Sequence, residues 1–221
     1  FMDRFDLGTV FSSIDHGGRY AYGNQPQILQ WNLARLAEAL LPIIDDDVNH
    51  AVELATEVLR EFPDRYHEAV RQGMRAKLGA PSADDAFLDG MANVLHAQRV
   101  DHTLFFRRLS DAVRGDDSAG RALFHEPEAF DAWAEGWRPM LPAETGERAA
   151  LADAMDRVNP MYVPRNHKVE EALDAATEGV MAPFRALVDV ATRPFDERPG
   201  LEAYAQPAPD GGSPYRTFCG T

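Results

Sequence analysis

The sequence predicts an all-α fold, and three observations support this. Apolar residues recur every three or four positions along most of the chain, as they do on one face of a helix. No stretch alternates apolar and polar residues strongly enough to indicate a β-sheet, and no segment repeats at a fixed period. Hydrophobic residues are 45% and aromatic residues 10% of the 221 positions, which is enough for a core.

The first long helix is predicted over residues 27–41. Pro26 suits its first turn, and Pro42 limits its continuation. Four leucines share one face, and five further apolar residues leave little of the surface polar: Leu29, Leu33, Leu36 and Leu40, then Ile28, Trp31, Ala34, Ala37 and Leu41. A helix that is apolar nearly all round is typical of a core, so we expect it to be buried. It would expose apolar surface if a covering element were lost.

Three more helices are predicted next along the chain. Asp45 to Asp47 stand where carboxylates favour a helix N-terminus, and Pro63 starts a helix that stops at Gly79. Ser82 with Asp85 resembles a capping box for the helix after it. Their apolar stripes are Val48, Val52, Ala55, Leu59 and Phe62; Tyr66, Val70 and Met74; and Phe87, Leu88, Met91 and Leu95.

The remaining elements are also helical up to a tail. Asp101 can cap a helix that Gly115 ends, Pro127 opens the next, and another is predicted over residues 144–157. Residues 159–166 are predicted to be extended because of their prolines. Two short helices follow, and the many Pro and Gly residues from Pro194 onward predict a wrapping or mobile tail. Phe130, Trp133 and Trp137 are predicted to face inward. The apolar residues that mark the other helices are Leu104, Phe105 and Leu109; Val169, Leu173 and Ala176; and Phe184, Leu187, Val188 and Ala191.

The charge balance excludes two classes of partner. A formal net charge of -14 disfavours nucleic acid and an anionic membrane surface, because both are bound through Lys and Arg. No run approaches the roughly 20 apolar residues that span a bilayer. The single cysteine excludes a disulfide within this sequence, so the cytoplasm is the expected compartment. Arginine outnumbers lysine heavily, and together with abundant Ala and Asp this indicates a GC-rich bacterial genome.

One short loop gathers the side chains that could form a site. Asp15, His16 and Arg19 place a carboxylate, an imidazole and a guanidinium around two glycines, and Tyr20 follows directly. Such a loop can hold a metal ion or a phosphate. The plainer alternative is a loop held by its own hydrogen bonds, which we favour because no second Asp or His stands at a ligand spacing.

Other polar groups have plainer explanations. Arg165-Asn166-His167 faintly resembles a kinase catalytic loop, but the order is wrong, and a helix entry capped by Asn166 fits better. The carboxylates around Asp45, Asp84 and Asp116 are explained by helix starts rather than by metal or acid-base chemistry. The remaining histidines, which lack metal-ligand spacing, are His50, His67, His96, His102 and His125.

Several motifs resemble one known family. FMDRFD, SIDHGGRYAYGNQP and WNLARLAEALLP, at residues 1–6, 13–26 and 31–42, resemble the matching region of selenoprotein O, the YdiU-type pseudokinases. The likeness continues through Met74 to Gly79, Asp101 to Arg107, and Asn159 to Ala172, and ends in a similar tail that contains Cys219. The resemblance covers nearly all of this chain but only part of the family protein.

The resemblance implies a protein-kinase-like fold, of which this chain would be the C-terminal, large lobe. It further implies an enzyme that uses Mg²⁺ and ATP to transfer AMP to Ser, Thr or Tyr hydroxyls of other proteins. The family's nucleotide-binding, catalytic and metal-binding residues precede the matching region. We therefore expect no catalytic, cofactor-binding or metal-binding residue in this chain, no cofactor bound to it alone, and no activity of the isolated piece.

The same resemblance divides the chain into an activation-segment-like loop (1–26), a helical lobe (27–193) and an extended tail (194–221). Asp15, His16, Arg19 and Tyr20 would line the active cleft, and the partners would be protein substrates and the missing N-terminal lobe. Cys219 stands where relatives carry selenocysteine or cysteine, which implies a redox-sensitive thiol. A free, exposed terminal thiol is the alternative.

Two alternatives to the enzyme remain open. The first is a non-catalytic all-α protein-interaction module that shares ancestry with the family. The second is a helical small-molecule pocket around the aromatic residues at 130–137, which an ordinary core explains equally well.

Overall fold

The computed structural model describes residues 2–209, and this part of the chain is helical. It contains eleven α-helices, two 3₁₀ turns at Tyr22–Asn24 and Arg138–Met140, and a single antiparallel bridge between Arg4 and Asp101. The predicted all-α class is therefore confirmed for the described residues. Among these helices, none combines the length and apolar character needed to cross a bilayer.

The chain forms two compact units. One consists of residues 7–73, and the other of residues 2–6 together with 74–209, so the boundary falls within the third helix. The division into loop, helical lobe and tail that the sequence suggested stays a prediction.

The unit of residues 7–73 is a loop followed by helices α1 (Gln25–Ile44), α2 (Val48–Arg60) and the greater part of α3 (Phe62–Leu78). Pro26 lies in the first turn of α1, and α1 packs against α2. The Asp47 carboxylate caps α2 by accepting the backbone N–H of Asn49 at 2.9 Å. This confirms the predicted role of the Asp45 to Asp47 run.

The prediction that α1 is buried is wrong. No residue of α1 is buried: 47% of Trp31, 53% of Leu36 and 80% of Ile43 remain exposed. Within this unit α2 is the helix that packs most extensively along α1, and it covers one stripe of a helix that is apolar on nearly every side. Pro42 was also expected to limit the helix, but it lies inside α1, which ends two residues later at Ile44.

The larger unit continues from the end of α3 through eight further helices. They are α4 (Asp85–Ala97), α5 (His102–Arg114), α6 (Ser118–Arg121), α7 (Pro127–Trp137), α8 (Thr145–Val158), α9 (Asn166–Thr177), α10 (Ala182–Thr192) and α11 (Glu202–Ala205). Helix α5 is the centre of this unit: it packs against α8, and seven of its thirteen residues are buried. Helix α9 packs against α10.

Aromatic side chains fill the core beside α5. Phe105 lies 5.3 Å from Trp133 between ring centroids, Trp133 lies 5.5 Å from Trp137, and the Trp137 indole donates to the carbonyl of Leu78 at 2.9 Å. Phe130, Trp133 and Trp137 are buried, as predicted. Because these rings pack on one another, the cluster is an ordinary core and not a small-molecule pocket.

Helix boundaries agree with the sequence prediction better than helix caps do. Asp84 caps α4 by accepting from the Phe87 N–H at 2.8 Å. The predicted capping box of Ser82 with Asp85 is therefore wrong, because the capping residue is Asp84. Asn166 begins α9 as a helical residue and does not cap it. Helix α6 was not predicted, and α11 lies in the stretch that was predicted to be extended.

Four helices end in the same hydrogen-bond pattern. After α3, α4, α5 and α9, the backbone N–H groups of two successive residues donate to carbonyl groups in the last turn of the helix. The first of these two residues has left-handed backbone geometry in each case. Glycine occupies that position after α3, α5 and α9, at Gly79, Gly115 and Gly179. Arg99 occupies it after α4, with φ of 53°.

We predict that Gly79→Ala destabilises the protein by about 2 kcal/mol. Gly79 has φ of +61°, and an added Cβ would stand 2.6 Å from Met155 Sδ, inside a packed core. The matched control is Gly115→Ala, which has φ of +108° but open space, and should cost only about 1 kcal/mol. Chemical denaturation measures both, and equal losses would contradict this explanation.

Candidate functional site

The loop of residues 7–24 contains the four residues predicted to line a cleft. The Asp15 carboxylate accepts the backbone N–H groups of Arg19 at 2.8 Å and Tyr20 at 2.9 Å. Gly18 also donates to the Asp15 carbonyl at 3.2 Å. Both carboxylate oxygens of Asp15 thus accept hydrogen bonds from the loop's own backbone. This agrees with the interpretation of Asp15 as a residue that holds the loop in place, and less well with a metal ligand.

His16 is exposed and does not join the other three residues. Among residues 2–209, its ring has no hydrogen-bond or ion-pair partner. Within the same described range, no three His, Cys, Asp or Glu side chains come together as a metal site. The loop therefore presents the side chains of Arg19 and Tyr20, while Asp15 shapes the backbone that carries them.

Arg19 forms a cationic and aromatic cluster with α1. Its guanidinium carbon lies 4.6 Å from the ring centroid of Trp31 and 5.7 Å from that of Tyr20. Arg35 lies over the same Trp31 ring at 5.4 Å, and it pairs with Glu38 at 2.6 Å. Each cation-π contact at an exposed site contributes roughly 0.5–1 kcal/mol, so the cluster holds Arg19 in place without burying it.

Two cavities adjoin this cluster. One, of about 410 Å³, is lined by Arg19, Asn24, Gln27, Ile28 and Trp31. The other, of about 320 Å³, is lined by Tyr20, Gln25, Ile28, Leu29, Asn32 and Tyr66. A cation, amides and aromatic faces around shallow cavities suit a polar segment of another molecule, and they offer no acid or base for chemistry.

Trp31 and Arg35 belong to this cluster but were not predicted from the sequence as site residues. Trp31 was predicted to lie on a buried helix, but 47% of its surface is exposed. Trp31 and Arg35 are four residues apart, and this spacing places two residues side by side on one helix face. That spacing is the feature of the sequence from which their contact could have been predicted.

The larger unit holds a buried charge cluster around Arg165. This side chain is 0% exposed, and it bonds to Asp101 at 2.8 and 3.1 Å, to Asp3, and to the carbonyl of Ala205 at 2.7 Å. Burial raises the pKa of the Asp101 carboxyl, and the hydrogen bonds from Arg165 oppose that rise. Arg165 thereby links three segments that are distant in sequence, a role that the sequence analysis did not assign to it.

A second group that is partly buried is His102, next to Asp101. Its ring stacks on Phe5 at 5.7 Å and meets Phe106 edge-on at 5.3 Å. Burial and the nearby Lys77 lower the pKa of His102 to about 4. Burial also lowers the pKa of Lys77, whose ammonium bonds to Asn159 at 3.2 Å. These groups support the core and line none of the cavities described above.

The other predicted residues have clear positions. Asp45, Asp84 and Asp116 accept hydrogen bonds from nearby backbone N–H groups at or before helix starts. This agrees with the prediction that these carboxylates favour helix N-termini. Cys219, the predicted redox residue, lies outside the described residues.

Comparison with known proteins relates the whole chain to one family. The family model described as "Protein adenylyltransferase SelO" matches residues 1–192. "Protein nucleotidyltransferase YdiU" of Mycobacterium sp. (strain KMS) is 52% identical and is matched along 100% of this chain and 45% of its own length. The proteins of that name from Pseudarthrobacter chlorophenolicus and Methylorubrum extorquens are 46% and 45% identical, and 45% and 47% of their lengths are matched by the whole of this chain. The chain spans about half the length of the curated relatives it matches.

We predict that Arg165→Met lowers the free energy of unfolding by about 3–5 kcal/mol, because it leaves the buried Asp101 carboxylate without its cation. Adding Asp101→Asn should restore part of the loss by removing that charge. The exposed control Arg157→Met should change stability by less than about 0.5 kcal/mol. Urea titration measures all three, and a loss for Arg165→Met as small as the control's would show that the cluster is unimportant.

We also predict an acid-sensitive stability that depends on His102. Its pKa is about 4 in the folded state and 6.5 in the unfolded chain, so only the unfolded chain takes up its proton between these values. Stability should fall by roughly 3 kcal/mol as the pH drops from 6.5 to 4. In His102→Gln this part of the pH dependence should disappear. An unchanged pH profile in the variant would contradict the assignment.

Proposed function

We infer the function from the family, because this chain belongs to the SelO protein adenylyltransferases. We propose that it is the C-terminal helical part of a longer enzyme that transfers AMP from ATP to Ser, Thr or Tyr hydroxyls of other proteins. The observation that carries this proposal is the match itself: all of this chain aligns with only 45% of a relative named as a protein nucleotidyltransferase.

In this proposal the chemistry takes place on residues that precede this chain in the longer protein. Transfer of AMP needs Mg²⁺ to neutralise the phosphates, cations to hold them, and a carboxylate to accept the hydroxyl proton. The longer protein would therefore bind Mg²⁺ and ATP. The present chain alone would be inactive and would serve as the scaffold of the large lobe.

The exposed apolar faces of α1 and α2 support a partner within the same longer protein. In the unit of residues 7–73 only Ala21 and Ala51 are buried, while large side chains such as Trp31 and Val58 stay 47% and 71% exposed. Surface of this kind is typical of an interface. We propose that the N-terminal part of the enzyme covers it.

The Arg19 cluster has a defined role in this proposal. Arg19 and Tyr20 would face the active cleft and hold the protein substrate so that its hydroxyl reaches the nucleotide. The two adjoining cavities, of about 410 and 320 Å³, would accept side chains of that substrate. Positioning of this kind changes substrate binding more than it changes the chemical step.

The alternative function is a non-catalytic module for protein interaction, and the same exposed apolar surface favours it. The two proposals differ in what the longer gene encodes. The enzyme requires a Gly-rich loop, a Lys, a Glu, a Thr-Asp-Asn motif and an Asp-Tyr-Gly motif upstream, and the module requires none of them. Both proposals place the protein in the bacterial cytoplasm, without nucleic-acid or membrane partners.

We predict that the longer protein, incubated with Mg-ATP and a protein substrate, adds AMP to that substrate, seen as a mass increase on Ser, Thr or Tyr. The 221-residue chain alone should add none and should not bind Mg-ATP in calorimetry. Micromolar nucleotide binding by the isolated chain would contradict the proposed location of the chemistry. Absence of AMP transfer by the longer protein would favour the non-catalytic module.

In the same assay, Arg19→Ala should raise the KM for the protein substrate by about tenfold and change kcat little, because Arg19 positions the substrate. The matched control is Arg60→Ala, an exposed arginine at the end of α2. An equal effect of both substitutions, or a fall in kcat alone for Arg19→Ala, would show that Arg19 has no positioning role.

A further inference from the structure

The Arg19 side chain has no carboxylate of its own. Within residues 2–209, its guanidinium has no hydrogen-bond or ion-pair partner, and its contacts are with aromatic rings. Both carboxylate oxygens of Asp15 accept backbone N–H groups of the loop. The Glu38 carboxylate pairs with Arg35 at 2.6 Å. The acidic side chains of this cluster are therefore engaged elsewhere.

The Arg19 guanidinium is held beside a cavity. It lies 4.6 Å from the ring centroid of Trp31, and Arg19 and Trp31 both line the cavity of about 410 Å³. The other described residues of this lining are Asn24, Gln27 and Ile28, so none of them is acidic. A guanidinium over an aromatic face keeps its N–H groups available, because they point outward in its own plane. An anionic group in this cavity would therefore meet N–H donors.

The second cavity, of about 320 Å³, adjoins the first. Ile28 lines both cavities, and Tyr20 of the second directly follows Arg19 of the first. Tyr20, Leu29 and Tyr66 supply aromatic and aliphatic surface, and no described residue of this lining is charged. A cavity of this composition suits an apolar side chain.

We propose that this surface selects protein segments in which an acidic residue and a large apolar residue are adjacent. The acidic side chain would pair with Arg19, since one carboxylate matches one guanidinium through two parallel hydrogen bonds. The Gln27 amide, in the same lining, can add a further donor. The apolar side chain would fill the cavity at Tyr66. This inference rests on the proposed function, because it names the class of substrate segment that the enzyme would modify.

The first test is peptide binding to the full chain, which requires no AMP transfer. The probe is a synthetic peptide with adjacent Glu and Phe, compared with its Glu→Gln and Phe→Ala forms. A salt concentration of about 0.15 M screens charges beyond about 8 Å, which limits repulsion by the net charge of -14. We expect a Kd of about 1 mM or lower for the first peptide. Each altered form should bind at least about fivefold more weakly.

Amide NMR shifts at residues 19–31 locate the bound peptide. Equal affinity of the Glu and Gln peptides would overturn the proposal, and so would shifts confined to other residues.

The decisive variant reverses the charge of the selecting residue. Arg19→Glu should prefer a peptide with Lys in place of Glu, which inverts the preference of the unaltered chain. The matched control Arg60→Glu changes the net charge equally at an exposed arginine of α2, and should keep the preference for Glu. Both side chains are exposed, so circular dichroism should show an unchanged fold. An unchanged preference in Arg19→Glu, or an inversion in both variants, would show that Arg19 does not select the segment.

The AMP-transfer assay of the longer protein separates this inference from the proposed function. Serine-containing versions of the same peptides are the substrates. Transfer without a preference for the Glu peptide would overturn the inference and leave the proposed function intact. Peptide binding as predicted, with no AMP transfer to any substrate, would support the peptide site and contradict the proposed function.

Discussion

The uneven burial of apolar surface is the constraint on which the rest of this structure depends. In the larger unit, α5 packs against α8 and the aromatic core, and the ion pair of Arg165 with Asp101 is buried. In the unit of residues 7–73, α1 and α2 also carry many large apolar side chains, but only two alanines are buried. Hydrophobic burial is the main stabilising contribution to folding, so α1 and α2 need a covering surface to reach the same stability.

Much of the fold was predictable from the sequence. Helix periodicity and the residues that start or end helices located α2, α5, α7 and α8, since Asp47, Asp101, Gly115 and Pro127 act through local backbone chemistry. The burial of α1 was predicted wrongly for a different reason. An apolar pattern shows that a helix requires a cover, but it carries no information on whether that cover belongs to the same stretch of chain.

The site residues were less predictable, because they depend on contacts between distant segments. The interpretation of Asp15 as a residue that holds its loop through hydrogen bonds agrees with the structure. Trp31 was predicted to lie on a buried helix, so its contact with Arg19 was not predicted. Arg165 and Asp101 are 64 positions apart, and no local pattern indicates that they pair. Arg99 was not singled out at all, because a left-handed arginine is visible only in the backbone angles.

The most direct test of this account is amide hydrogen exchange across α1 and α2, measured in the 221-residue chain and in the longer enzyme that we propose contains it. The account predicts fast exchange of both helices in the isolated chain and strong protection in the longer protein, with α5 protected in both. Equal protection of α1 in the two proteins would contradict the proposal that the N-terminal part of the enzyme covers these helices.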